Sequence, residues 1–200
     1  MAVIKDINQL DLSKRYTYAD YLQWQFDEMV ELIHGKIYKM SPAPNLEHQR
    51  VARRFLNFLE NFLQGKKCEA FVAPTDVILP LPPQKVTKDK IDIVVQPDVF
   101  VVCDPSKLGI QSCVGAPDWI IEVLSKGTSS KDLNEKFELY QHAKVPEYWI
   151  AHPLEGTLMI FRLNENGKYA SLRPQPYDSS HTVSPMLFPD LKIDLAKVFS

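Results

Sequence analysis

Residues 91–103 read IDIVVQPDVFVVC, and this stretch decides the fold. An apolar run on each side of the turn QPD is followed by a third run, WIIEVL, at 119–124. Continuous apolar runs of this length are typical of strands that are buried on both faces of a sheet. We therefore predict two central strands, one that runs from 91–95 through the turn into 99–103 and one at 119–124, with Asp98 immediately before Val99 and Glu122 inside the second strand.

The rest of the chain alternates between helical and strand patterns. Apolar residues at spacings of three and four predict helices at 17–29, at 51–63 and from Ser129 or Ser130 onward. Alternating patterns and turn residues predict strands, namely a hairpin at 30–40, strands at 70–79 and 147–151, and tail strands at 157–163 and 168–173. An apolar segment at 195–199 closes the chain.

This order of elements predicts an α/β fold, in which one mixed β-sheet is flanked by α-helices and followed by an additional C-terminal β-hairpin. We expect one domain over 1–200, with a core at about 16–160 and a hairpin and tail at 157–200, because 45% apolar residues suffice for a single core. The sequence has no Gly-rich phosphate loop between a strand and a helix, which argues against a nucleotide-binding protein.

Composition and charge limit the function further. The formal charge of -2 argues against a general polyanion-coating protein, because phosphate affinity grows with the number of Lys and Arg that meet the backbone. Local basic groups remain, and each could equally be a solvated charged surface; they are Arg50, Arg53 and Arg54, and Lys85, Lys88 and Lys90.

The chain start and the cysteines bear on location. The apolar runs are too short for a membrane span, and the first residues lack the plan of a secretory signal, so we expect a soluble, cytoplasmic protein. Cys68, Cys103 and Cys113 are odd in number with no close pair, which fits neither a disulfide framework nor a zinc site. We interpret them as reduced thiols, with Cys103 in the core.

Two acids on apolar strands are the candidate metal ligands. A buried carboxylate without a partner is costly, so it must be paired, protonated or metal-bound. If their strands are neighbours, Asp98 and Glu122 can converge and supply the hard oxygen ligands that Mg²⁺ prefers. The alternatives are that Asp98 caps a turn and that Glu122 pairs with a structural Lys or Arg.

Lys136 comes fourteen residues after Glu122, on the next predicted helix. It could fold back beside the carboxylates, orient an attacking water and stabilise developing phosphate charge. It could also be an exposed helix lysine that pairs with Asp132 or Tyr140.

Several motifs, in order along the chain, together resemble the Uma-type family of restriction endonucleases, within the PD-(D/E)XK nuclease superfamily. They are ELIHGKI at 31–37, MSPAP at 40–44 with His48, QPDV at 96–99, GAPD at 115–118, EVLS at 122–125, Lys136 with Tyr140, and VPEYWI at 145–150. The resemblance implies a restriction-endonuclease-like fold and covers about 16–160.

The resemblance also assigns roles. Asp98 corresponds to the acid of the PD element and Glu122 to the second acid, both as metal ligands, and Glu31 matches a further acid near the metal. The superfamily pattern expects Lys two residues after the second acid, where this chain has Leu124, so Lys136 is the candidate for a relocated lysine.

His48 matches a family position near the second helix, where it could touch DNA or the metal shell, or serve only as a capping residue. We expect it to bind nucleic acid together with Arg50 and Arg53.

The resulting hypothesis is a Mg²⁺-dependent endonuclease, able to use Mn²⁺, that hydrolyses phosphodiester bonds of DNA as a homodimer, since two related sites suit two strands. An alternative is a catalytically inactive nuclease-fold module that binds nucleic acid or protein, which the absence of Lys at position 124 favours. A third interpretation, glycoside hydrolysis by paired carboxylates, does not require Lys136, and the family resemblance argues against it.

Overall fold

The computed structural model describes residues 3–40, 45–81, 87–125 and 131–200, and for 131–133 the backbone only. The strands, in chain order, are β1 Val30–Ile33, β2 Lys36–Lys39, β3 Glu69–Val72, β4 Asp76–Ile78, β5 Val94–Val95, β6 Val99–Val102, β7 Ser112–Val114, β8 Trp119–Val123, β9 Glu147–His152, β10 Thr157–Leu163, β11 Tyr169–Ser171, β12 Thr182–Val183 and β13 Ile193–Asp194. The helices are α1 Tyr18–Tyr21, α2 Leu46–Leu63, α3 Phe137–His142 and α4 Leu195–Phe199, with short 3-10 turns at Ile7–Gln9 and Pro105–Lys107.

Two mixed sheets carry these strands. A five-stranded sheet has the order β2-β1-β5-β4-β7, and a six-stranded sheet has the order β11-β10-β9-β8-β6-β3. Most neighbours are antiparallel, whereas β4 with β7 and β8 with β9 are parallel. The prediction of a mixed sheet with flanking helices is confirmed, although the strands divide between two sheets and the pair β12-β13.

Helix α2 covers one face of the six-stranded sheet. Its buried residues Val51, Phe55, Leu59 and Leu63 follow the spacing of three and four, and they pack in one cluster with Trp119 and Trp149 of the sheet. Burying a side chain such as Phe55 or Leu59 contributes about 1.5–3 kcal/mol. Asn45 is the N-cap of α2, because its side chain accepts a hydrogen bond from the His48 backbone N–H at 2.8 Å.

Some predicted elements differ from the observed ones. The helix predicted at 17–29 is shorter and comprises only α1. A capping box between Thr17 and Asp20 starts this helix, and the aromatic rings at its end and after it pack against one another. The strand predicted at 70–79 is two strands, β3 and β4, with Pro74 in the turn between them. Strand β7 lies between the apolar runs at 91–103 and 119–124, where no strand is predicted, and the closing segment is a helix, α4. The C-terminal hairpin is confirmed as β10-β11.

The interpretation of the cysteines as three reduced thiols is wrong. Cys68 and Cys103 form a disulfide, and only Cys113 is free among the described cysteines. The antiparallel pairing of β3 with β6 places Glu69 opposite Val102, so the next pair in the same register is Cys68 with Cys103. Sequence spacing did not reveal this pairing because 35 residues separate the two cysteines. Cys103 is only partly buried.

Candidate active site

Asp98 and Glu122 lie on neighbouring strands. In the antiparallel pair β6-β8, Val99 lies opposite Ile121, so Asp98, one residue earlier, comes opposite Glu122. Residues directly opposite each other project from the same face of a sheet. Asp98 also accepts a hydrogen bond through Oδ2 from the Val123 backbone N–H at 2.8 Å. The register therefore brings the two predicted ligands to one place.

Lys136 reaches this place from the next helix. Its Nζ lies 2.7 Å from Glu122 Oε1 and 3.1 Å from Glu31 Oε1, and all three side chains are at most 4% exposed. Lys136 ends a π-helical turn, Lys131–Lys136, that runs directly into α3. Such turns occur frequently at functional sites. The amine is therefore a buried bridge between two carboxylates, not the exposed lysine of the alternative interpretation.

Tyr140 also contacts Glu122 Oε1. Its hydroxyl donates a hydrogen bond to that oxygen at 2.8 Å, and its ring is fully buried. Residues four apart on a helix share a face, which explains why Tyr140 and Lys136 meet the same carboxylate. Burial, and then the charge of Glu122, raise the pKa of Tyr140 well above its usual value, so the phenol stays a donor.

Glu31 belongs to the same group of side chains. It lies in β1 and is completely buried. Besides the Lys136 amine, its Oε1 accepts a hydrogen bond from the Gln96 backbone N–H at 2.9 Å. Gln96 stands two residues before Asp98, so the turn that carries Asp98 also holds Glu31.

His48 contacts Asp98 directly. Its Nε2 lies 3.2 Å from Asp98 Oδ1, and both side chains are slightly exposed, at 12% and 14%. Burial alone would raise the pKa of Asp98, but the hydrogen bond and charge of His48, followed by the charge of Lys136, lower it below its usual value. An ionised carboxylate at the open side of the site can bind a cation.

The donor atoms suit a hard divalent cation in their chemistry, since carboxylate oxygens are the ligands that Mg²⁺ prefers. Within the described residues, however, no three His, Cys, Asp or Glu side chains are placed to hold a metal ion. The Lys136 amine lies between Glu31 and Glu122. That Asp98 and Glu122 hold a metal ion therefore stays a prediction; Mg²⁺ is usually bound by one or two carboxylates together with water and substrate phosphates.

The predicted basic residues differ in their exposure and contacts. Arg50 is exposed and pairs with Glu47, and Arg53 is exposed on the next turn of α2. Arg54 donates to the backbone oxygen of Val198 at 2.9 Å, which is a structural contact with α4. Lys88 and Lys90 are exposed, whereas the motif at 41–44, Lys85 and the predicted helix start at 129–130 lie outside the described residues.

Two features of the site were missed or left open by the sequence. Leu124, where the superfamily pattern has Lys, is only 5% exposed and packs in the same apolar cluster as Tyr140 and Tyr148. Asp76 was not singled out, although it is an acid inside the predicted strand 70–79. That is the same signal that pointed to Asp98 and Glu122.

The fold and site define a protein of the restriction-endonuclease-like class. A solved structure titled "putative nuclease belonging to DUF820", from Anabaena variabilis ATCC 29413, is similar with a TM-score of 0.71 at 18% identity, over 92% of this chain and 97% of that one. This likeness shows the shared fold.

The chain belongs to the Uma2 family, described as "Putative restriction endonuclease", whose family model matches residues 18–196. A curated relative, "Uncharacterized protein slr1290" from Synechocystis sp. (strain ATCC 27184 / PCC 6803 / Kazusa), is 28% identical over 167 residues, which is 80% of each chain. Family and fold together support a nuclease role. Among the described residues, no helix is long and apolar enough to cross a membrane.

Proposed function

We propose that this protein is a Mg²⁺-dependent endonuclease that hydrolyses phosphodiester bonds of DNA. The single observation that carries the proposal is the Lys136 amine, 2.7 Å from Glu122 Oε1. A lysine beside the second acid is what the superfamily pattern expects two residues after that acid, where this chain has the core residue Leu124. The π-helical turn that runs into α3 supplies the amine instead.

Each residue has a role in this proposal. Asp98 and Glu122 hold the metal ion, which when bound lowers the pKa of a water and stabilises phosphate charge. Lys136 presents a positive charge to the attacking oxygen, and Glu31 keeps that amine in place. His48 orients Asp98, and the exposed guanidinium groups of α2, on Arg50 and Arg53, contact the DNA backbone.

The test is cleavage of supercoiled and linear DNA by the purified protein, with Mg²⁺, with Mn²⁺ and with chelator. Asp98→Asn keeps the shape of the side chain while removing a charge, and we expect it to abolish metal-dependent cleavage. Asp194→Asn is the matched control, since Asp194 caps α4 through the Ala196 N–H and pairs with the exposed Lys197, and it retains cleavage. Cleavage that persists in Asp98→Asn would remove the proposal.

A second candidate is a nuclease-fold module that binds nucleic acid or protein without cutting. The described residues favour it in one respect, because they gather no three candidate metal ligands. Calorimetric titration with Mg²⁺ separates the two candidates. The endonuclease binds Mg²⁺ and loses this binding in Asp98→Asn, whereas a binding module gives the same result for both proteins.

Assembly and location are part of the proposal. A homodimer would present two related sites to the two strands of a duplex. Sedimentation equilibrium tests this, and a monomer at working concentrations would contradict it. A cytoplasmic location agrees with the sequence, but disulfides such as Cys68–Cys103 are rare in cytosolic proteins. Mass measurement of the thiols in protein from rapidly quenched cells tests that location.

A further inference from the structure

A partly buried polar cluster lies beside Glu31 in the five-stranded sheet. Asp76 begins β4, and since Val77 lies opposite Val95, Asp76 comes opposite Gln96. Its Oδ1 accepts two hydrogen bonds, from Gln96 Nε2 at 2.8 Å and from the Tyr21 hydroxyl at 3.1 Å. One carboxylate oxygen thus ties α1 to the turn that precedes Asp98.

The orientation of Gln96 depends on Asp76. Gln96 is only 6% exposed, and its Oε1 is buried with no hydrogen-bond partner among the described residues. The amide group of its side chain is therefore held through Nε2, by Asp76. A buried carbonyl oxygen without a hydrogen-bond partner, such as Gln96 Oε1, costs free energy. Once the hydrogen bond to Asp76 is lost, the Gln96 side chain is therefore expected to leave this orientation.

Gln96 in turn fixes Glu31. Its backbone N–H donates to Glu31 Oε1 at 2.9 Å, and the Lys136 amine contacts the same oxygen at 3.1 Å. A continuous hydrogen-bonded chain therefore runs from Tyr21 through Asp76, Gln96 and Glu31 to Lys136. Displacement of Gln96 would shift both the acid that holds the amine and the turn that carries Asp98.

We infer that Asp76 is a positioning residue of the nuclease centre, because it holds Gln96, whose backbone N–H fixes Glu31 and through it the Lys136 amine. The inference rests on the proposed function. Both donors to Asp76 Oδ1 are neutral groups, so the positioning needs an acceptor oxygen at this place and not a charge. Asp76 acts through other residues and touches no reacting atom.

The test compares two substitutions at position 76. Asp76→Ala removes the acceptor and lowers kcat about 10- to 100-fold, as is typical when a partner of a metal-site residue is lost, while KM for DNA stays unchanged. Asp76→Asn keeps an oxygen that can accept from Gln96 and Tyr21, and it restores cleavage to nearly the wild-type rate. Asp194→Ala, the matched control, loses a helix cap and keeps its kcat.

A double-mutant cycle separates positioning from general destabilisation. In a Glu31→Met background the acceptor for the Gln96 N–H is absent, so adding Asp76→Ala lowers kcat much less than it does in the wild type. Gln96→Met removes the donor of the hydrogen bond between Gln96 Nε2 and Asp76, where Asp76→Ala removes the acceptor. The inference therefore stays testable if Asp76→Ala fails to fold. Independent, additive losses from Asp76→Ala and Glu31→Met would overturn the inference.

Hydrogen exchange gives a readout that does not need activity. In the wild type the Gln96 amide is protected by its bond to Glu31, and Asp76→Ala makes it exchange faster, whereas Asp194→Ala leaves it unchanged. Equal exchange of the Gln96 amide in wild type and Asp76→Ala overturns the inference. A wild-type protein that cleaves no DNA with Mg²⁺ overturns the proposed function instead, so the two failures are distinguishable.

Discussion

Replacement of Lys136 by methionine tests the electrostatics of the site most directly. The Lys136 side chain is 4% exposed, and the two carboxylates that it contacts, on Glu31 and Glu122, are 0% and 2% exposed. Lys136→Met retains the length of the side chain and removes the ammonium. The two acids then remain buried with no cation between them.

The expected loss is large. Removal of one partner from a buried ion pair destabilises a protein by about 3–5 kcal/mol, because an uncompensated charge stays out of water. A domain has about 5–15 kcal/mol of stability in all, so the variant should unfold at a much lower urea concentration. An exposed lysine gives the matched control: Lys197 is 74% exposed and lies 3.8 Å from Asp194. Lys197→Met should change the free energy of unfolding by less than about 1 kcal/mol.

Urea unfolding followed by far-UV circular dichroism, with and without Mg²⁺, measures both effects. If Glu122 and Asp98 bind the cation, Mg²⁺ stabilises the native state, by about 2.7 kcal/mol at a hundred times its dissociation constant. We expect Mg²⁺ to stabilise Lys136→Met more than the wild type, since the cation replaces the missing charge. A Lys136→Met protein as stable as Lys197→Met in the absence of Mg²⁺ would refute this account of the buried amine.

Three further predictions concern other residues. Tyr140→Phe removes the donor to Glu122 Oε1 and should lower the free energy of unfolding by about 1–2 kcal/mol in urea titrations, with reduced cleavage. Burial, opposed by hydrogen bonds from Gln96 and Tyr21, raises the pKa of Asp76. Ionisation of Asp76 in the folded protein therefore lowers the free energy of unfolding as the pH rises above the pKa in the unfolded chain, about 3.9. Asp76→Asn should therefore be more stable than the wild type at pH 7 and about equally stable at pH 3, and an equal difference at both values would contradict this. Cys68→Ser removes a disulfide whose cysteines are 35 residues apart and should lower the free energy of unfolding by about 4 kcal/mol. Dithiothreitol should cause the same loss in the wild type and no further loss in the variant.

The sequence predicted the parts of the fold whose causes are local. The periodicity of α2, the hairpin β1-β2 and the apolar run of β8 each follow from residues within a few positions of one another. Pairing between residues that are far apart in the sequence was harder to predict. The Cys68–Cys103 bridge depends on the register of β3 with β6, which only the folded sheet determines.

The site shows the same division between local and long-range causes. Asp98 and Glu122 were predictable because a charge inside an apolar run needs a partner. That their strands are neighbours was a condition of the prediction, and the register of β6 with β8 meets it. Asp76 carries the same signal, an acid inside an apolar run, but its connection through Gln96 to Glu31 crosses three strands, and no spacing along the chain reports such a contact.

The position of the lysine has a physical reason in the packing around Leu124. This residue follows β8, donates its N–H to the Ala151 oxygen at 2.8 Å, and lies 5% exposed in an apolar cluster. A lysine at this position would place its charge among apolar side chains such as Leu139 and Tyr148, which is costly. The helical segment formed by the π-helical turn and α3 offers a different route, because Lys136 and Tyr140 share a face of it and reach Glu122 together. The amine therefore reaches Glu122 from the helix, while position 124 is left to the core.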